Sequence, residues 1–261
     1  MLTDFGTEEE YVGVCKVVMK NISPDVEFID ISHSVGKFNV RDGALMLLNF
    51  GKYSPQTIYF AVVDPGVGSE RKPLVIETER GDILVGPDNG LLIPLARSFG
   101  IKCAVVIKNR QYMLPRISKS FHARDIFAPI CAYVSLGVPT EDFGEPIPES
   151  KLVDMRVGEA IWKDGAIQGH VLRIDRFGNV QTNIDAFLLE RIGAKKGDQL
   201  VLEFSENHNI VPFVETFADV SPNELLFYVD SDGKLSLSLN MGSAHDFLGM
   251  LEDMELKVWV R

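Results

Sequence analysis

The chain has little cysteine: Cys15, Cys103 and Cys131 are the only three in 261 residues. They are far apart, and no CxxC or Cys/His spacing joins them, which excludes a zinc knuckle or a dithiol redox motif. All three lie among apolar neighbours, so a buried, reduced state is expected. Clustered positive charge is also missing. The balance of 26 basic against 37 acidic residues is net −11, and basic residues scatter beyond short pairs such as Lys195-Lys196. That excludes the electrostatic footprint of a nucleic-acid or acidic-membrane partner. No apolar run approaches the length of a membrane span, and the opening residues carry no basic and apolar leader, so a cytoplasmic protein is expected. The usual phosphate-cradling fingerprints and the GxSxG nucleophile elbow do not occur, nor does any repeat or low-complexity tract.

What is present is an ordinary globular composition, 46% hydrophobic and 24% charged, with length for two domains. The stretch 57–63 is β-branched, aromatic and apolar, as a buried strand requires, and Asp64 stands at its end. Pro65-Gly66-Val67-Gly68 then supplies a tight loop, and Arg71 follows near enough to face back toward Asp64. A half-buried carboxylate needs such a partner. A strand end capped by Asp beside a surface arginine is the equally simple structural reading.

Upstream, Leu2-Thr3 reads as the end of a strand. Thr7 and Glu10 form a capping box for a helix through Tyr11, Val14, Cys15, Val18 and Ile22. Residues 26–31 alternate like a strand, and Asn39 is a fitting N-cap for a helix through Ala44, Leu45, Leu47 and Leu48. The order βαβαβ predicts an α/β domain with a mainly parallel sheet. A hairpin is expected around Arg80-Gly81-Asp82, then helices near 91–99 and 126–135. We expect this domain to span 1–143, a linker 144–156, and a second domain 157–261. The second is read as short antiparallel strands forming a small barrel-like β domain, with one helix at 185–192.

Unusual polar residues collect after predicted strands: Asp4, Asp64, Asp88-Asn89 and His122-Ala123-Arg124-Asp125. The loops after parallel strands gather on one sheet edge, which makes a site there the expected outcome. In the second half, Asp175-Arg176-Phe177-Gly178-Asn179 with Thr182-Asn183 offers directed hydrogen bonds, and an amide can read a base edge. A self-bonded Asx turn is the competing reading. The stretch Asp230-Ser231-Asp232-Gly233 reads as a hairpin turn, and Asn240-Met241-Gly242-Ser243 could bring backbone to a ligand. His33, His170, His208 and His245 lack partners in the sequence and are read as structural.

Thr3-Asp4-Phe5-Gly6 with Tyr11-Val12-Gly13, Asp64-Pro65-Gly66-Val67-Gly68 with Arg71, Gly86-Pro87-Asp88-Asn89-Gly90, Phe121-His122-Ala123-Arg124-Asp125, and Ile174-Asp175-Arg176-Phe177-Gly178-Asn179 with Thr182-Asn183 occur in that order over nearly the whole chain. Together they resemble the S-adenosyl-L-methionine hydrolases, or SAM hydroxide adenosyltransferases, relatives of the fluorinase and chlorinase. The resemblance implies hydrolysis of S-adenosyl-L-methionine to adenosine and methionine by attack of water or hydroxide on the ribose 5′ carbon. It implies Asp64, Arg71 and His122 as the residues that handle the water. It also implies Asp4 at the ribose hydroxyls, Asp175 and Asn179 at the methionine amine and adenine, Ser231 at the methionine end, and backbone near Asn240-Met241 at the adenine edge. No metal or other cofactor is implied. The resemblance further implies a homotrimer with each site between one subunit's amino-terminal domain and its neighbour's carboxyl-terminal domain. Departures from the pattern include Ala123, which stands where the family has Gly, and Asp232, where the fluorinase has a basic residue. Two other readings compete. One is a non-catalytic adenosine or S-adenosyl-L-methionine sensor. The other is a carboxylate metal hydrolase built on Asp4, Asp64, Asp88 and Asp125.

Overall fold

The computed structural model describes residues 1–155 and 158–261. The chain divides into two compact units, Met1–Met155 and Arg156–Arg261. Arg156 and Val157, where the expected linker ends and the expected second domain starts, lie outside the described residues.

The first unit is built on a six-stranded sheet. In chain order its strands are β1 (Leu2–Thr3), β2 (Ile58–Val62), β3 (Pro73–Thr78), β4 (Ile83–Pro87), β5 (Ile101–Ile107) and β6 (Gly144–Pro146). They lie side by side as β1-β2-β4-β3-β5-β6. Pairing is parallel between β1, β2 and β4, and antiparallel from β4 onward. The site depends on the parallel half. The helices are α1 (Tyr11–Ile22), α2 (Val40–Gly51), α3 (Ile93–Ser98) and α4 (Ala128–Ser135).

β2 is apolar on both faces because both are covered. Tyr59, Ala61 and Val63 belong to one core with Leu47 of α2 and Leu95 of α3. Phe60 and Val62 belong to another with Cys15 and Met19 of α1 and Ile130 of α4. The period of two along the strand sorts these side chains onto opposite faces. Burying a Leu or Phe side chain contributes about 1.5–3 kcal/mol, so the strand is pinned from both sides.

Some local expectations are met and some are overridden. Asn39 caps α2, its side chain accepting from the Asp42 amide at 2.9 Å. The capping box at Thr7 does not form; the cap position of α1 is Glu10, with no side-chain cap bond. Gly6 is left-handed at φ +76°, and Phe5 meets Tyr11 edge-on with ring centroids 6.2 Å apart. The turn after β1 thus follows aromatic packing rather than local capping. Residues 26–31 run beside β1 without a regular ladder. The bridge Leu2↔Ser32, bonds such as Ile31 N to Met1 O, and the packing of Val26 and Phe28 on the core hold them there.

The second unit is antiparallel throughout its ladders. Its strands are β7 (Ile161–Lys163), β8 (Ala166–Ile174), β9 (Val180–Asp185), β10 (Gln199–Phe204), β11 (Asn207–Pro212), β12 (Leu225–Val229), β13 (Lys234–Leu239) and β14 (Glu255–Val260). The helices are α5 (Ala186–Arg191) and α6 (Ala244–Leu248). The order β11-β10-β14-β8-β9-β13-β12 nearly closes on itself, since the bridge Phe213↔Phe227 ties the end of β11 to β12. Closure removes exposed edges and encloses one core around Ile184, Leu202, Phe227, Leu237 and Val258. No helix among the described residues is long and apolar enough to cross a membrane.

Candidate active site

In the first unit, β1 and β2 run parallel and end side by side. Parallel strands deliver whatever follows them to one edge, and here that is Asp4 and Asp64. The end of β1 is secured from beneath. Thr3 is fully buried, and its hydroxyl lies 2.8 Å from Nδ1 of His33, which gives that histidine a structural role. The end of β2 is secured by the Gly86–Gly90 turn, where the Asn89 amide donates to the Val63 carbonyl at 2.8 Å.

Past Asp64 the chain turns tightly and returns Arg71. Nε of Arg71 donates to Asp64 Oδ1 at 3.0 Å, and Nη2 donates to Oδ2, making a bidentate pair. Both side chains are more than nine-tenths buried. Nη2 also faces Nδ1 of His122 at 3.1 Å. The guanidinium lies over the Phe127 ring, 5.3 Å from its centroid, and its Nη1 is buried with no hydrogen-bond partner among the described residues.

His122 arrives from the opposite side of the sequence through one close backbone contact. Gly68 is left-handed at φ +78°, and a Cβ there would collide with the carbonyl oxygen of Lys119. The loop carrying Asp64 and Arg71 therefore packs backbone-to-backbone on the loop that leads to His122. After His122 the chain forms a π-helical turn over Ala123–Phe127 that runs into α4. Such turns re-aim side chains at functional positions. Asp125 steadies this turn, accepting from the Ser118 amide at 2.7 Å and from Arg124 at 2.6 Å.

Asp4, Asp64 and His122 share the wall of a cavity of about 330 Å³ with Phe5, Tyr11, Phe38 and Phe121. Phe5, Tyr11 and Phe121 pack edge-to-face around each other at 5.4–6.2 Å. Phe38 is left-handed at φ +63° with its side chain in solvent, and its amide donates to Asp4 at 2.9 Å. Burial pushes the Asp64 carboxyl above its ordinary 3.8, against the pull of Arg71. Burial, and then the Arg71 charge, push His122 below its ordinary 6.5, so the ring is neutral at neutral pH.

Of the four acids gathered for a metal site, two are elsewhere. Asp88 is buried under the Val153 amide, 2.9 Å away, with Lys72 at 3.6 Å, and Asp125 is held by Arg124. Among the described residues no group of three His, Cys, Asp or Glu side chains could hold a metal ion.

The second unit has a separate cavity of about 670 Å³ lined by Asp175, Asn179, Met241, Phe177, Phe217 and Tyr228, among others. The 175–179 turn is bonded to itself. Asp175 Oδ1 accepts from the amides of Phe177 and Asn179, and Oδ2 accepts from Asn179 Nδ2 at 2.8 Å. Asn179 Oδ1 in turn accepts from Ser238 at 2.6 Å, so both ends of that amide already have partners. Met241 is left-handed at φ +59° and 83% exposed. Ser231 and Asn240 do not line this cavity. Ser231 is exposed in the turn between β12 and β13, where Asp230 accepts from the amides of Asp232 and Lys234. Asn240 spends its side-chain amide on the Val220 carbonyl at 2.9 Å. Sequence reasoning did not reach the aromatic wall of the first cavity, nor Phe217 and Tyr228 in the second. Phe5 and Tyr11 do lie inside a motif that carries the family resemblance, and that is the available signal.

Comparison with known proteins places the chain in a family. Residues 1–144 match the model of the SAM hydroxide adenosyltransferase N-terminal domain, and residues 169–257 match that of the C-terminal domain. The (R)-S-adenosyl-L-methionine hydrolase of Salinispora tropica is 37% identical over 257 residues, covering 98% of this chain and 95% of that protein. A fluorinase of Actinopolyspora mzabensis is 26% identical over 284 residues, with 98% and 95% covered. A crystal structure of an uncharacterized conserved protein from Thermotoga maritima superposes with a TM-score of 0.92 at 34% identity, covering 99% of this chain and 98% of that one. On both domain matches and on full-length identity, the chain belongs to the SAM hydroxide adenosyltransferase family.

Proposed function

We propose that the protein hydrolyses S-adenosyl-L-methionine to adenosine and L-methionine by in-line attack of water on the ribose 5′ carbon. The observation that carries this reading is the hydrogen-bonded trio of Asp64, Arg71 and His122 on the wall of an aromatic-lined cavity. A sulfonium is already a good leaving group, so the chemistry asks for no acid at sulfur. It asks for a small nucleophile held in line with the breaking bond, and positioning supplies a large part of a barrier of this kind. A pure sensor would have no use for a buried carboxylate, guanidinium and imidazole bonded in series, whose assembly costs desolvation.

In this reading Asp4 holds the ribose hydroxyls, Asp175 and Asn179 contact the methionine amine and the adenine, Ser231 the methionine end, and backbone at Asn240 and Met241 the adenine edge. Support comes from Asp4 on the wall of one cavity and from Asp175, Asn179 and Met241 on the wall of the other. As the family resemblance implies, we further propose a homotrimer whose sites form between the first unit of one subunit and the second unit of its neighbour, a reading that the placement of the two sets in different units supports. A cytoplasmic setting accords with three unpaired cysteines.

The experiment is incubation with S-adenosyl-L-methionine in ¹⁸O-water, followed by mass spectrometry. The reading requires adenosine and methionine in equal amounts, with the label in the adenosine 5′-hydroxyl. Tight binding with no product over hours would replace it with the sensor.

A further inference from the structure

A guanidinium has donors and no acceptor. Nη2 of Arg71 faces Nδ1 of His122 at 3.1 Å, so that ring nitrogen must offer its lone pair. A proton on Nδ1 would set donor against donor. The tautomer of a neutral histidine follows from such a network, and here it places the ring proton on Nε2. A nitrogen that already carries a proton cannot take another from water.

We propose that Arg71 locks His122 as the Nε2–H tautomer, so that the imidazole donates a hydrogen bond to the attacking oxygen and Asp64 accepts the proton that this oxygen sheds. This rests on the hydrolytic reading above. Asp64 can still accept a further hydrogen bond. A carboxylate has about four lone-pair sites; Arg71 occupies one on each oxygen and the Gly66 amide reaches a third, which leaves one for the water. Asp64 and His122 both border the cavity, and Arg71 joins them from behind. The other charged group acting on the ring is Asp125, which is already held by Arg124 and the Ser118 amide.

The assignment uses three of the water's four sites, and the second proton stays on the oxygen as the product hydroxyl. One lone pair accepts from His122 Nε2–H and the other attacks the 5′ carbon, while one proton points at Asp64. As the oxygen–carbon bond forms, the carbon–sulfur bond breaks and its electron pair goes to sulfur, giving the neutral thioether of methionine. The proton passes to Asp64 and then to solvent, so charge balances against the lost sulfonium. Arg71 is a positioning residue in this scheme, and His122 and Asp64 touch the reacting oxygen.

The test is ¹⁵N NMR of the intact enzyme labelled at its histidine rings, at neutral pH, with the His122 signals identified by their loss in His122→Gln. The expected spectrum has a protonated Nε2 and an unprotonated Nδ1. The reverse pattern overturns the proposal. Kinetics give a second readout, because glutamine keeps an N–H donor and cannot act as a base at neutral pH. His122→Gln should retain turnover within about tenfold of wild type, while His122→Ala should lose on the order of 10²-fold, the scale of a positioned proton-handling group. Equal, deep losses in both variants would make His122 the base and overturn the proposal. Wild-type enzyme that forms no adenosine would sink the hydrolytic reading and with it the role toward the oxygen, while the NMR result would still report the tautomer.

Discussion

At the scale of single residues, the site is a study in burial working against charge. Asp64 and Arg71 are both more than nine-tenths buried, and a carboxylate there survives only because the guanidinium meets it with two hydrogen bonds. Removing Asp64 should therefore act on turnover more than on affinity. Asp64→Ala and His122→Ala are expected to keep substrate binding by calorimetry and to lose most of kcat; unchanged turnover in both would show that the trio does not handle the water. The two groups pull stability in opposite directions with pH. His122 is depressed below 6.5, so the unfolded chain binds more protons than the folded one as pH falls from 6.5 toward the folded value, and stability drops over that window. Asp64 is raised above 3.8, so its contribution runs the other way, with stability falling as pH rises from 3.8 through the folded value. Turnover should be level from pH 7 to 8 and decline only at the depressed folded value of His122, on the acid side of 6.5, where a proton on its ring meets the Arg71 donor. A pH–rate profile without an acid limb would contradict this.

At the scale of elements, the site exists because a few backbone contacts bring distant loops together. One is Gly68 on Lys119, which joins the Asp64–Arg71 loop to the loop before His122. Gly68→Ala combines a left-handed φ with a backbone collision, so it should part Arg71 from His122. We expect kcat to fall at least about tenfold, because a displacement of an ångström at a reacting centre has costs of that order or more. Circular dichroism should stay native-like, and wild-type kcat in this variant would show that the contact does not set the geometry. Asn39→Ala removes a cap that is made and should destabilise by about 1 kcal/mol in urea unfolding. Thr7→Ala removes one that is not made and should be near neutral.

Legibility at this scale followed how local the cause was. β2, the hairpin strands β3 and β4 and the Asn39 cap could be read because apolar runs, turn residues and caps act within a few positions. Thr182 and Asn183 group in the sequence with the polar turn at 175–179, yet both lie in β9. Within the sheet, Thr182 instead donates to the Leu235 carbonyl at 2.7 Å and Asn183 to the Gly158 carbonyl at 2.7 Å. The π-helical turn after His122 has no periodic signature of its own, and nothing in Ala123-Arg124-Asp125 announces it.

At the scale of the whole molecule, each unit has its own core, and the barrel of the second closes around Phe227. Phe227→Ala should cost about 3–5 kcal/mol, by the general rule for emptying a fully buried aromatic site, and chemical denaturation would measure it. The proposed trimer makes a separate demand. Analytical ultracentrifugation should give three times the 29.0 kDa chain mass, and a stable, fully active monomer would remove the inter-subunit sites.

By itself the sequence showed the continuous apolar run that β2 buries on both faces and an Arg71 close enough to turn back on Asp64, since these follow from residue type and short spacing, while His122 joined them only through the family resemblance. Only the tertiary structure decided that the guanidinium stands between the carboxylate and Nδ1 of the imidazole, that Asp88 and Asp125 turn away to structural duty, and that an aromatic wall surrounds the pocket. The reason is physical: residues 51 positions apart meet only when a glycine lets two backbones touch, and no local pattern encodes that approach.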